Sequence, residues 1–128
     1  MGYYTTVEGE ITITPPLTWA ELKDSPFGRN PNPALRDVTL VIAEEKVDTD
    51  EGPLLRRTGT ALVPTYADGY KAYHLVEHVQ EAIDAFPGHT FAGRLDCSGA
   101  DAGDMWRVVV RDGRAVEVRP RIVWPDED

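Results

Sequence analysis

Six segments of this chain alternate apolar and polar residues with a period of two, and one long segment carries the period of a helix. That imbalance dictates a sheet-dominated fold. Val7, Ile11 and Ile13 alternate with Glu8, Glu10, Thr12 and Thr14, a half-buried strand from about Tyr4 to Thr14 that Pro15-Pro16 ends. Gly9 sits in an inward slot, the mark of a bulge or a close backbone approach. Val38, Leu40 and Ile42 begin a second strand, and Leu54 to Val63 form a third. The turn Asp48-Thr49-Asp50-Glu51-Gly52 joins them in a hairpin whose imperfect alternation predicts a twist or bulge. Phe91, Gly93, Leu95 and Cys97 give a fourth strand, with Trp106, Val108 and Val110 inward in a fifth. Val116, Val118 and Ile122 are the inward set of a sixth, which Pro120 places at a sheet edge or on a bulge.

The helical period runs from about Gly69 to Phe86, with Asp68 as cap and Pro87-Gly88 as stop. Leu75, Val76, Val79, Ala82, Ile83 and Phe86 share one face. Lys71, His74, Glu77, His78, Glu81 and Asp84 share the other. A shorter helix starts at Thr18, which can cap Glu21 while Glu21 reaches back, with Leu17 and Leu22 as a staple. Pro26 stops it after about two turns, and Ser25 to Arg36 reads as an irregular loop. The expected fold is a single α+β domain. It has a mainly antiparallel sheet of about six strands, a long amphipathic helix on one face and a short N-terminal helix.

With 128 residues, the chain can bury a core in one domain. No apolar run is long enough for a membrane helix, and the first residues lack the basic and apolar regions of a secretory signal. The lone Cys97 fits a reducing, cytoplasmic setting. A net charge of −9 argues against nucleic acid and anionic membranes as partners.

Against that acidic background, Arg107, Arg111, Arg114, Arg119 and Arg121 collect positive charge near the C-terminal end of the chain. A two-residue Asp112-Gly113 turn would pair Val108 with Glu117 and Arg107 with Val118, setting valines beside charges. A three-residue loop, Arg111-Asp112-Gly113, instead pairs Val108 with Val116 and Arg107 with Glu117, and this register is expected. It places Arg107 and Arg119 on one face, extended by Arg121, where they could hold a carboxylate or phosphate beside Trp106 or Trp124. Asp101 and Asp104, with Asp96, flank the neighbouring loop and complete the ligand-binding candidates. As a plain surface, the same residues are a solvated outer face with cross-strand ion pairs.

No catalytic constellation emerges. His74-Leu75-Val76-Glu77-His78 matches the literal H-x-x-E-H string, yet both histidines fall on the solvent face without a third ligand. They are candidates for adventitious metal binding only. Asp48-x-Asp50-x-Gly52 fails as a calcium loop, because glycine stands where a ligand must be. Cys97 lies in the inward register and reads as an inert thiol. No cofactor is implied.

Two end blocks carry a resemblance. Met1-Gly2-Tyr3-Tyr4-Thr5 leads into Gly9 to Leu17, and Gly103-Asp104-Met105-Trp106-Arg107 leads through Asp112-Gly113-Arg114 to Pro120-Arg121-Ile122-Val123-Trp124-Pro125-Asp126. Tyr70-Lys71-Ala72-Tyr73 stands between them. The chain thereby resembles a family of small uncharacterised proteins of actinobacteria and their phages, a domain of unknown function. The resemblance implies a bacterial or phage cytoplasmic setting and no activity. The leading expectation is a non-enzymatic interaction protein that meets a protein partner, or itself, at a sheet edge. A binder of a small, nucleotide-like anion and an acidic DNA mimic are the alternatives.

Overall fold

A computed structural model of the chain describes residues 4–23, 25–27, 36–66, 69, 72, 74–101 and 103–126. In chain order the elements are β1 (Thr6–Leu17), α1 (Trp19–Leu22), β2 (Val38–Thr49), β3 (Gly52–Pro64), α2 (Leu75–Ala85), β4 (Thr90–Ser98), β5 (Met105–Arg111) and β6 (Arg114–Val118). All six strands form one antiparallel sheet in the order β2-β3-β1-β4-β5-β6. No helix among the described residues is long and apolar enough to cross a membrane.

The central pair, β1 with β4, holds the tightest backbone contact. Gly9 (φ 114°) and Gly93 (φ 132°) both adopt the left-handed conformation open to glycine. A Cβ on Gly9 would stand 2.6 Å from the Arg94 carbonyl oxygen, and one on Gly93 only 2.5 Å from that of Glu10. The close approach anticipated at Gly9 is therefore real, and Gly93 provides its counterpart on the partner strand. Glycine kinks of this kind let a sheet coil.

The coil is visible in what α2 touches. Its Gln80 accepts from the Ala115 amide of edge strand β6 (2.8 Å) and donates to the Gly113 carbonyl in the turn before it (3.4 Å). On the same helix, the neighbouring Glu81 binds Arg36 (2.6 Å) and His78 Nδ1 accepts from the Asp37 amide (2.9 Å), just before the opposite edge strand β2. The sheet thus wraps until both its margins flank the same helix. Leu75, Val79 and Ala82 of α2 are buried against Val7, Ile11, Ile13, Val38, Leu40, Leu62, Leu95 and Val108 of the sheet's concave face.

Four sequence expectations change. The principal helix is not long: it has 11 residues and begins at Leu75 behind His74 rather than at Gly69. Gly69 and Ala72 lie outside it, consistent with the roughly 1 kcal/mol helix penalty of glycine. The proposed Asp68 cap, Lys71 and the loop residues 28–35 fall outside the described residues. Helix α1 is a single turn of 4 residues rather than two, although its Thr18–Glu21 capping box is present. Strand β1 continues through Pro15-Pro16 to Leu17, because its pairing with β3 slips between Thr12 and Leu17 and frees those residues from the regular ladder.

The last hairpin uses the two-residue turn, not the three-residue loop. Asp112 (φ 51°) and Gly113 (φ 76°) both adopt left-handed angles, as a type I′ turn requires. The pairs are Arg107–Val118, Val108–Glu117, Val109–Val116, Val110–Ala115 and Arg111–Arg114. Val116 and Val118 therefore sit on the face opposite Val108, and Ile122 lies beyond the strand, 86% exposed. Parity misled because β6 is an edge strand lying beyond the apolar centre. There the concave side accommodates Glu117 and Arg119 at its rim.

Substitution should expose the central constraint. Gly93→Ala must lose about 3 kcal/mol of unfolding free energy in urea titrations, from strain plus the carbonyl clash. Gly88→Ala, also at positive φ but with open space around it, should lose only about 1–2 kcal/mol.

Candidate functional site

The arginine-rich hairpin does not form one cationic face. Register places Arg107 on the convex side, where its Nε binds Asp96 at 2.8 Å and shares that carboxylate with Arg94 at 3.4 Å. Arg119 lies on the other side, its guanidinium 4.9 Å from the Trp106 ring centroid. It reaches Glu117 at 3.2 Å and Asp104 at 3.6 Å. The expected Arg107–Glu117 pair is absent, since each residue has a different partner. A hollow of about 330 Å³ adjoins Trp106, Arg119, Cys97 and Ser98, but a ligand anion entering it would compete with carboxylates already in place.

The other candidates scatter. Asp104 joins Arg119, while Asp101 is exposed and uses its carbonyl to accept the Asp104 amide at 3.1 Å. Arg121 is exposed with no ion pair among the described residues. Trp124 is 73% exposed, and the ring against Arg119 is that of Trp106. The two helix histidines separate in environment. His74 is exposed, but His78 is mostly buried against Asp37, contrary to its assignment to the solvent face. Burial raises the Asp37 carboxyl above its ordinary pKa, with His78 and the His74 amide opposing it. No group of three or more metal-ligating side chains occurs among the described residues.

Cys97 is buried, and burial, reinforced by Asp96 and Glu117, pushes its thiol up to about 12. A thiol reagent should react with native protein only at the rate of unfolding; fast stoichiometric labelling at neutral pH would contradict this environment.

The feature that sequence reading missed is the outer half of the β2–β3 hairpin. Beyond Gly59, β3 has no further register with β1, so the hairpin continues as a two-stranded arm closed by the Asp50-Glu51 turn. Leu54 and Leu55, adjacent and thus on opposite faces, are 59% and 55% exposed. Between the arm and α1 lies an open cleft of about 1080 Å³, with Pro16, Trp19, Ala20, Val47, Leu54 and Leu55 as its apolar lining. Charges at its rim are mutually paired: Arg56 with Glu45 at 2.9 Å and Arg57 with Glu44 at 2.8 Å. Arg57 also lies 5.6 Å from the Trp19 ring centroid. The available signal was Leu54-Leu55 itself: strict alternation cannot bury both neighbours in an uncovered ribbon.

A charged lock fixes the cleft's Trp19 wall. Thr18 donates its amide to Glu21 (3.0 Å), and Glu21 accepts from His89 Nε2 (2.8 Å). His89 Nδ1 donates to the Pro15 carbonyl (2.6 Å). Both ring nitrogens face acceptors, an arrangement that favours the imidazolium form. Burial opposes that charge, but the Pro15 carbonyl and Glu21 outweigh it and raise the His89 pKa. The Thr18 amide, aided by His89, lowers that of Glu21 despite partial burial.

The sign follows for each group. His89 contributes stability fully below its unfolded value, near 6.5, and loses it as pH rises through the raised folded value. Glu21 contributes fully above 4.5 and loses it as pH falls through its lowered folded value. The difference in melting temperature between wild type and His89→Gln should therefore be widest from about pH 4.5 to 6.5 and shrink on either side.

No curated protein and no solved structure matches the chain. One family model spans all of residues 1–128, and the chain accordingly belongs to DUF6205, a family of unknown function.

Proposed function

We propose that this protein is a non-enzymatic interaction module whose working surface is the apolar cleft between α1 and the β2–β3 arm. The observation that carries this reading is the exposure of Leu54, Leu55 and Trp19 around one concavity. Contiguous exposed apolar surface rimmed by polar groups is the usual mark of a protein-binding site. An aromatic side chain, with a leucine from each face of the ribbon bordering the same cleft, is the material of an interface centre, and the paired arginines and glutamates form the polar rim. The setting is cytoplasmic, in a bacterial or phage context, as the family resemblance and the unpaired thiol suggest.

Anion binding by the C-terminal arginines is the weaker reading, because Arg107 and Arg119 lie on opposite faces and are already neutralised. An acidic DNA mimic is weaker still, since the arm interleaves Arg56 and Arg57 with its acids.

Affinity capture should decide between the two surfaces. A specific partner should be retained by wild type and by Arg119→Ala, and lost with Leu55→Glu. Loss with Arg119→Ala alone would move the site to the hairpin, and equal retention by all three would remove the cleft from consideration.

A further inference from the structure

The cleft has a backbone wall as well as side chains. From Gly52 to Thr58, β3 pairs with β2 on one side, and among the described residues no strand pairs with it on the other. Its outward amides and carbonyls form an open edge beside Trp19 and Leu55, save at Pro53, which has no amide hydrogen. The edge of β2 is open too, but Glu44, Glu45, Lys46 and Asp48 guard it.

At the other end of the molecule a matching element is exposed. After β6 the chain runs without regular structure through Pro120, Arg121, Ile122, Val123 and Trp124 to Pro125. Ile122, Val123 and Trp124 are 86%, 68% and 73% exposed. These three side chains favour extended structure, and the flanking prolines, lacking amide hydrogens, limit any strand to 121–124.

The segment cannot reach the cleft of its own chain. Val118 is level with Arg107, Asp96 and Glu8 across the sheet, whereas the arm departs beside Leu17. At ~3.3 Å per residue, that separation along β1 is about 30 Å. The four residues from Arg119 to Ile122 span only about 13 Å, and the six to Trp124 about 20 Å.

We infer that residues 121–124 of one copy lie as a short added strand on the free β3 edge of a second copy, with Ile122, Val123 and Trp124 supplying the side chains that meet the Trp19–Leu54–Leu55 cleft. Charge favours this occupant. Among the described residues Arg121 has no ion pair, and the receiving arm ends in Asp48, Asp50 and Glu51. Donor and acceptor surfaces differ, so the contact is head-to-tail, and copies joined by it form a reciprocal pair, a larger ring or an open chain. The inference rests on the cleft being an interaction surface and specifies what enters it.

Sedimentation velocity on the purified chain over a concentration series tests this. The wild type should associate progressively. Leu55→Glu and Trp124→Ser, both at exposed positions, should each be monomeric with an unchanged circular dichroism spectrum, and Arg121→Glu should weaken association several-fold. Mixing the Leu55→Glu and Trp124→Ser proteins restores one intact tail and one intact cleft, so it should give a one-to-one dimer that grows no further. A wild type that stays monomeric into the millimolar range, or association that survives both substitutions, overturns the inference. So does a mixture that remains monomeric. If Leu55→Ser replaces a poorly folded Leu55→Glu, the same outcomes apply. Leu55-dependent capture of a different protein by a monomeric chain would sink self-docking while leaving the cleft reading intact.

Discussion

Two peptide oxygens fill the space where side chains would stand at the centre of this sheet. The Arg94 carbonyl blocks Gly9, and the Glu10 carbonyl blocks Gly93. Only residues without a Cβ allow β1 and β4 to meet this closely, and both are bent into left-handed angles there. The curl that brings both margins of the sheet to α2 is centred on this pair of strands. It lets an 11-residue helix serve as the second layer for six strands. Gln80 then occupies a backbone amide of β6 that would otherwise be open to another strand. Among the described residues, the arm beyond the curl has no such cover.

How far the sequence revealed this depends on whether local chemistry or distant packing decided each feature. Strand alternation at Val7–Ile13 and Phe91–Cys97 was legible because one face meets a core and the other meets water. The Thr18–Glu21 capping box was legible because its partners are three residues apart. The register of β5 and β6 was not. Its decision lay in the Asp112-Gly113 turn, whose backbone angles outweighed the apparent mismatch of Val108 with Glu117. The placement of Arg107 and Arg119 inherited that error. The sequence also could not show that β1 would part from β3 at Gly59, since this depends on a slip in pairing, and the cleft exists because of that slip.

His89 ties these regions together. It lies just before β4, yet it holds the end of β1 through Pro15 and the start of α1 through Glu21. One buried, charged ring therefore positions the aromatic wall of a cleft whose other wall comes from a separate hairpin. Although four residues make the lock, the acceptors His89 meets are a carbonyl and a carboxylate far from it in sequence. No periodicity or motif announces such an arrangement.

The slip between Val41 and Ile42 in the β2–β3 pairing sets the parity of everything outboard of it. Past that point, Glu44–Arg57 and Lys46–Leu55 share one side of the ribbon, and Glu45–Arg56 and Val47–Leu54 the other. Removing one cross-strand pair would turn the tip over and exchange those two sets, whereas removing two would shorten the arm and preserve its facing. The arm's length is thus constrained to steps of two pairs if Leu54 and Leu55 are to keep their facing. Among related chains, insertions and deletions that keep the same face toward the cleft would accordingly come as two pairs at a time.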